Sequence, residues 1–224
     1  MKRLTSVLAR LLLITAFASC MAFAQSSGSY NYSYDSTACT DVSGALGGGT
    51  ENDALKTTMK VSSGNGVGIV VRPSAVVGLL TDVSLSGKSG GGTVTQSAQE
   101  TVQFKVTATA LSGQAAPTVT PGDWVTYDDR FIQISTNLFS LLSTCTSVSP
   151  ATTCFFNFNE TTLSAHSFDW IVTGLSSGSY GITVSWRYNN NGTTAPNQAL
   201  ACVGPVVLTA EQTKLFTQSI GISF

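Results

Sequence analysis

The sequence predicts an all-β protein: a single antiparallel β-sandwich of immunoglobulin-like or jelly-roll type with about ten short strands. Apolar and polar residues alternate with a period of two in several segments, and stretches rich in Gly, Ser, Asn and Pro separate these segments. Charged residues make up only 10% of the chain, against about 25% in ordinary domains. Hydroxyl and amide side chains must therefore supply most of the solvated surface.

Two segments show the alternation most clearly. In TVQFKVTATAL (101–111), Val102, Phe104 and Val106 oppose Thr, Gln and Lys, and SYGITVSWRY (179–188) alternates in the same way. Because successive side chains of a strand face opposite sides, each segment is predicted to cover a core with one face only.

The segment SFDWIVT (167–173) precedes 179–188 across GLSSG (174–178). A glycine-bounded connection of this length predicts an antiparallel hairpin. The inward-facing side chains of these two segments are expected to contribute six residues to the core. They are Phe168, Trp170, Tyr180, Ile182, Val184 and Trp186.

Further strands are predicted from short β-prone runs bounded by turn residues. They are VGIVVR (67–72), which is expected to stop at Pro73, LLTDVSL (79–85), WVTY (124–127) with FIQIS (131–135), CFFNFN (154–159), ALACV (199–203) and KLFTQSIGISF (214–224). NLFSLLS (137–143) fits either a short helix or a strand.

Residues 1–24 have the basic start, apolar run and Ala-Phe-Ala ending of a secretory signal peptide, which predicts a secreted, cell-surface or periplasmic protein. Cleavage before Cys20, giving a lipid anchor there, is the alternative. Residues 25–48 form a Tyr-, Gly- and Ser-rich N-terminal segment, and 49–224 is predicted to be the sandwich domain.

Loss of the signal removes Lys2, Arg3 and Arg10, which leaves eight basic and twelve acidic residues and a net charge of −4. This balance argues against nucleic acid as a partner, because phosphate binding needs clustered Lys and Arg. No other stretch reaches the roughly 18 unbroken apolar residues of a membrane-spanning helix.

Four cysteines follow the signal, and export makes disulfides the default. We predict that Cys145 pairs with Cys154 across a short loop. The second predicted pair, Cys39 with Cys202, ties the beginning of the fold to its end.

LSAHSFDW (163–170) holds the only histidine, His166, among serines and an aspartate. In a strand, Ser167 and Asp169 face away from His166. Ser164 shares its face but lies about 6.6–7 Å along the strand, which is expected to exceed hydrogen-bond reach. No nucleophile elbow is identified, so no catalytic residue is assigned and the protein is predicted not to be an enzyme.

GDWVTYDDR (122–130) is the densest polar cluster. Trp124, Tyr127, Asp128 and Asp129 are the candidate ligand-binding residues, either as a sugar-binding patch or as a loop calcium site. The structural alternative is a turn at Asp128 and Asp129 between two strands, with Arg130 pairing locally. No cofactor is predicted, and calcium at this loop is the alternative.

Both ends of the exported chain carry alternating patterns. Tyr30, Tyr32 and Tyr34 predict an edge strand with aromatic rings on one face, or alternatively a segment exchanged between molecules. The last eleven residues, KLFTQSIGISF (214–224), resemble the terminal strand of bacterial outer-membrane barrels.

Three functional classes follow from these observations. The first is a non-enzymatic extracellular sandwich that acts by protein–protein contact, as an adhesin, a matrix or filament subunit or an accessory module. Its partner is either another protein or a second copy of itself in a homo-oligomer. The alternatives are a carbohydrate-binding module and, further, a secreted hydrolase or a small outer-membrane barrel.

Overall fold

A computed structural model describes residues 29–36, 38–41, 51–62, 66–88, 95–135, 153–189 and 197–215. Every regular element in these ranges is a β-strand. The eleven strands are β1 (Tyr30–Asp35), β2 (Ala38–Asp41), β3 (Glu51–Val61), β4 (Val67–Lys88), β5 (Thr95–Ala110), β6 (Thr118–Thr120), β7 (Val125–Ser135), β8 (Thr153–Ser167), β9 (Trp170–Thr173), β10 (Gly178–Asn189) and β11 (Gln198–Lys214).

The strands form two antiparallel sheets that pack face to face, which confirms the predicted β-sandwich. Sheet A has the order β1-β11-β4-β9-β6, with β2 also on β11 and β8 also on β4. Sheet B has the order β3-β10-β5-β7. The two longest strands, β4 and β11, form the centre of sheet A, where β11 pairs along nearly its whole length with residues 67–82 of β4.

The core lies between the sheets and is built from the inward half of each alternating strand. Val102, Phe104 and Val106 of β5 are buried, as predicted. Five of the six predicted core residues of 167–188 are buried as well, whereas Phe168 keeps 43% of its surface exposed. Phe168 lies outside both neighbouring strands, where its ring packs edge-on against Trp170.

The predicted hairpin between 167–173 and 179–188 is wrong. β9 pairs with β4 and β6 in sheet A, while β10 pairs with β3 and β5 in sheet B. The GLSSG connection therefore crosses from one sheet to the other, with Gly174 and Gly178 at positive φ. Each strand presents an apolar face to the same core, so the two apolar faces meet across the sandwich.

The predicted strand end at Pro73 is also wrong, because β4 continues through it to Lys88. On one side of β4, residues 69–71 pair with β9 and residues 74–88 pair with β8. Pro73 lies between these two partners, where no ladder hydrogen bond has to be made on that side. A proline is tolerated in a strand at such a position.

β1 closes one edge of the sandwich. It pairs with β11, and its inward side chains reach the edge of β3 in the other sheet. Ser29 Oγ donates to the carbonyl of Lys60 and Asn31 Nδ2 to that of Thr58, both at 3.0 Å. Part of the N-terminal segment 25–48 is thus built into the sandwich, since β1 and β2 both pair with β11.

The predicted Cys39–Cys202 disulfide is confirmed. Cys39 of β2 lies directly opposite Cys202 of β11, and the bond joins residues 163 positions apart. Cys145 and the side chain of Cys154 lie outside the described residues, so their pairing stays a prediction.

Other predictions lie outside the described residues as well. They concern the signal peptide with Cys20, the segment 137–143 and residues 216–224. In the part of the chain that is described, no helix has the length and apolar character needed to cross a membrane.

Replacing Cys39 and Cys202 by Ser should lower the free energy of unfolding by about 2–4 kcal/mol, because the bond restricts a long stretch of the unfolded chain. Urea denaturation of the oxidised proteins measures the loss. The matched control is Cys145→Ser/Cys154→Ser, which would open a much shorter loop and should cost less. Equal stability of wild type and Cys39→Ser/Cys202→Ser would contradict the role of this bond.

Candidate functional site

A β-bulge in β7 organises the polar cluster that the sequence singles out. Opposite β5, Asp128 pairs with Val102 and Thr126 pairs with Gln103, so Tyr127 is an extra residue without a partner. The inserted residue shifts the alternation by one position. Tyr127 and Asp128, although adjacent, therefore both face inward, and Asp129 faces outward.

The predicted turn at Asp128 and Asp129 is wrong, because β7 runs without interruption from Val125 to Ser135. Arg130 is not paired locally either. Its side chain faces inward with that of Asp128 and crosses to sheet A.

Tyr127 belongs to the core. Its side chain is only 7% exposed, its ring stacks on Phe104 with centroids 4.1 Å apart, and its hydroxyl donates to the carbonyl of Pro73 at 2.8 Å. Desolvation by burial raises the pKa of the phenol well above its ordinary value. The ring is therefore not available to stack on a ligand from solvent.

Asp128 meets the serine and the histidine of β8. Ser164 Oγ donates to Asp128 Oδ2 at 2.8 Å and lies 2.6 Å from His166 Nε2. The prediction that Ser164 cannot reach His166 is wrong. The strand rise does separate the two backbone positions, but side chains of a strand lean along it, and the long imidazole spans the gap.

The arrangement differs from that of a hydrolytic triad. In a triad the acid binds one imidazole nitrogen and the serine binds the other. Here Asp128 Oδ2 lies 3.7 Å from Nε2, the same nitrogen that contacts Ser164. The Ser164 hydroxyl is directed at the Asp128 carboxylate, so the acid contacts the serine itself and does not orient the histidine from its far side.

Arg130 makes a second connection from β7 to sheet A. Its Nη1 donates to the carbonyls of Leu79 at 3.1 Å and Glu160 at 2.9 Å, and its Nη2 donates to the hydroxyl of Thr162. We call the whole set of contacts the β7–β8 latch. It consists of Asp128, Arg130, Thr162, Ser164 and His166.

Asp129 and Trp124 lie on the outer face of sheet B. Asp129 accepts hydrogen bonds from Thr101 Oγ1 and, at 3.3 Å, from Gln99 Nε2. Trp124 lies under two cations, with Arg187 Cζ 4.4 Å and Lys105 Nζ 5.9 Å from the ring centroid. This is the distance range of cation–π attraction.

The four candidate ligand-binding residues therefore divide between the inner and the outer face of sheet B. Tyr127 faces the core and Asp128 faces the β7–β8 latch, while Trp124 and Asp129 face outward from sheet B. Their role in ligand binding stays a prediction. Within the described ranges, no three His, Cys, Asp or Glu side chains are grouped so that they could hold a metal ion.

Sequence reasoning missed how exposed β8 is. Leu163 is 77% exposed, Phe155 68% and Phe158 38%. β8 pairs with β4 on one side, and no described strand lies on its other side. The signal in the sequence was the run CFFNFN (154–159), which is aromatic, uncharged and free of proline.

The contacts of Arg130 show which residues of β8 turn their backbone N–H and C=O groups toward β4. One nitrogen reaches the carbonyls of both Leu79 and Glu160, which requires both carbonyls to lie between β4 and β8. In an antiparallel pair, alternate residues turn their N–H and C=O groups to opposite sides. The backbone N–H and C=O groups of the even-numbered residues of β8 therefore bond to β4, and those of the odd-numbered residues, among them Phe155 and Asn157, face the open edge.

The tyrosine segment forms the expected edge strand with its aromatic rings on one face. Tyr30, Tyr32 and Tyr34 are 61%, 65% and 73% exposed, and β1 pairs with β11 of its own chain. Exchange of this segment between molecules stays an alternative.

No protein-family model and no curated protein matches the chain. Among solved structures it is similar to the VP2 subviral particle of infectious bursal disease virus, with a TM-score of 0.21, 9% identity and coverage of 86% of this chain and 43% of that one. For the Gx strain of the same virus the TM-score is 0.20, the identity 9% and the coverage 83% and 40%. The chain thus spans less than half the length of these proteins, and TM-scores this low identify neither a family nor a function.

Replacing Arg130 by Gln should lower the free energy of unfolding by about 1.5–3 kcal/mol, the usual range for lost hydrogen bonds of a charged group. Chemical denaturation measures the change. Arg187→Gln is the matched control and should cost less, because its contacts with Gln103 and Trp124 lie on the outer face. If the two variants lose the same stability, the β7–β8 latch does not hold the sheets together.

Proposed function

We propose that this protein is an exported, non-enzymatic β-sandwich that acts through protein–protein contacts, and that the open edge of β8 makes the contact. The observation that supports it most directly is the edge of a 15-residue strand with which no described strand pairs. At this edge Phe155, Asn157 and Asn159 direct backbone donors and acceptors away from β4. An added strand would satisfy these groups, as in recognition by β-augmentation.

The side chains of β8 favour such an addition. Glu160 is the only Asp, Glu, Lys or Arg in Thr153–Ser167, and proline is absent from the strand. Soluble proteins usually protect an open edge with charges, especially Lys, or with Pro. The exposed Phe155 and Leu163 lie on one face of the same strand and add apolar surface that a partner would bury.

A second copy of the same chain is the partner that this edge fits best. Two β8 strands can pair antiparallel about a two-fold axis, so that each supplies the hydrogen-bonding groups that the other lacks. The product is one continuous sheet through two molecules. This interface would form the unit of a larger surface or matrix assembly.

Two observations support export. The predicted signal peptide directs the chain out of the cytosol, and the Cys39–Cys202 disulfide is of a kind that persists in oxidising compartments. The non-enzymatic part of the proposal is supported by the geometry of Ser164, His166 and Asp128, in which serine and acid contact the same imidazole nitrogen, unlike the members of a hydrolytic triad.

Replacing Asn157 by Pro should weaken self-association about tenfold, the equivalent of roughly one hydrogen bond. Proline removes the N–H that faces the open edge and leaves the hydrogen bonds to β4 in place. Sedimentation equilibrium of the purified protein gives the dissociation constant.

Asn157→Ala is the matched control, because it loses the same side chain but keeps the N–H. It should associate like wild type, and circular dichroism should confirm that both variants are folded. A wild-type protein that stays monomeric, or equal association of the two folded variants, would contradict the proposal.

A further inference from the structure

The basic residues of this acidic protein are concentrated on one face. Of the eight that follow position 24, four lie on the outer face of sheet B. These are Lys56, Lys60, Lys105 and Arg187. Elsewhere, Arg72 is paired with Asp169 and Arg130 points into the sandwich, so the outer face of sheet B holds half of the cations.

In the pairing of the described strands, few acids stand opposite these cations. Asp129 shares the face, but its carboxylate accepts hydrogen bonds from Thr101 and Gln99. Glu51 stands opposite Arg187 in the pairing of β3 with β10. Lys56, Lys60 and Lys105 stand opposite Thr183, Ser179 and Ser185 of β10, so none of the three has an acid directly across from it on β10.

A cleft lined by threonines together with Leu111 and Ile182 lies beside Lys56 on this face. It has a volume of about 360 Å³ and is bordered by Thr58, Thr109, Thr183 and Lys56. Gly181 forms its floor because a side chain there would crowd the cleft: a Cβ atom would come within 3.1 Å of Thr109 Oγ1. Hydroxyl groups can both donate and accept hydrogen bonds, which suits the hydroxyls of a sugar.

Arg187 is held in a fixed orientation beyond the cleft. Its Nε donates to Gln103 Oε1 at 2.8 Å while its guanidinium lies over Trp124. The charged face runs along β10 from Ser179, opposite Lys60, to Arg187. Eight residues of strand span about 27 Å, which suits a long ligand better than a single small ion.

We propose that the outer face of sheet B binds an anionic polysaccharide. The cations would pair with its carboxylate or sulfate groups, and the threonine cleft would take up sugar hydroxyls. Nucleic acid fits less well, because non-specific binding of single strands relies on aromatic rings that stack on bases, and Trp124 is half-buried and already covered by Arg187. This proposal does not depend on the β8 edge.

The test measures binding of the purified protein to dextran sulfate, polygalacturonate, uncharged dextran and single-stranded DNA by titration calorimetry. Wild type should bind at least one of the two anionic glycans more tightly than DNA and should not bind dextran. Which of the two it prefers distinguishes sulfate from carboxylate as the recognised group. Affinity should fall with added salt, because exposed charges are screened.

Two variants locate the site. Lys56→Gln/Lys105→Gln should weaken glycan binding about fivefold, as expected for the loss of two exposed ion pairs. Gly181→Gln should also weaken it, by filling the cleft at unchanged charge. The matched control Arg72→Gln/Lys214→Gln removes two cations from sheet A and should bind like wild type.

Several results would overturn the proposal. They are no binding of either anionic glycan, equal binding of uncharged dextran, tighter binding of DNA, and equal affinity of Lys56→Gln/Lys105→Gln and its control. Asn157→Pro should bind glycan normally, which separates this site from self-association at β8.

Discussion

The stack of aromatic rings between the sheets is the contact on which the rest of the fold depends. Trp186 and Phe104 of sheet B lie 5.7 Å apart, Phe104 lies 4.1 Å from Tyr127, and Tyr127 lies 6.2 Å from Trp170 of sheet A. These are the separations at which aromatic rings attract one another. The stack can cross the sandwich only because the bulge in β7 turns Tyr127 inward.

The same bulge determines how one edge of the sandwich is closed. By shifting the alternation it brings Asp128 and Arg130 inward, where they bind β4 and β8 through the β7–β8 latch. At the other side, Ser29 and Asn31 bind the edge carbonyls of β3. Both closures use polar side chains, so the sheets are joined by directed hydrogen bonds as well as by the apolar core. No described strand pairs with the outer edge of β8.

Much of the fold could be predicted from the sequence because alternation reports directly which side chains are buried. The alternation correctly predicted which side chains of β5 and β10 face inward. The positions of the cysteines near the two ends of the fold predicted the Cys39–Cys202 bond. The alternation could not tell a hairpin from a crossing between sheets at residues 174–178, since both place alternating apolar residues against one core. The continuation of β4 through Pro73 was not predicted, because the local sequence does not show where a strand changes its pairing partner.

The candidate site was harder to predict for a related reason. Periodicity assigns residues to faces but cannot locate a bulge, so the shared inward direction of Tyr127 and Asp128 was not foreseen. The contact of Ser164 with His166 depends on how far a side chain leans along its strand, which backbone spacing does not give. The charged face of sheet B depends on the order of β3, β10 and β5, and pairing between distant segments is not encoded in either segment alone.

The central claim is that β8 is an edge open to a second molecule. Amide hydrogen exchange followed by NMR as a function of protein concentration tests it residue by residue. At low concentration the amides of Phe155 and Asn157 should exchange fast and those of Phe156 and Phe158 slowly, and at high concentration all four should be protected. Protection of Phe155 and Asn157 that does not change with concentration would contradict the claim.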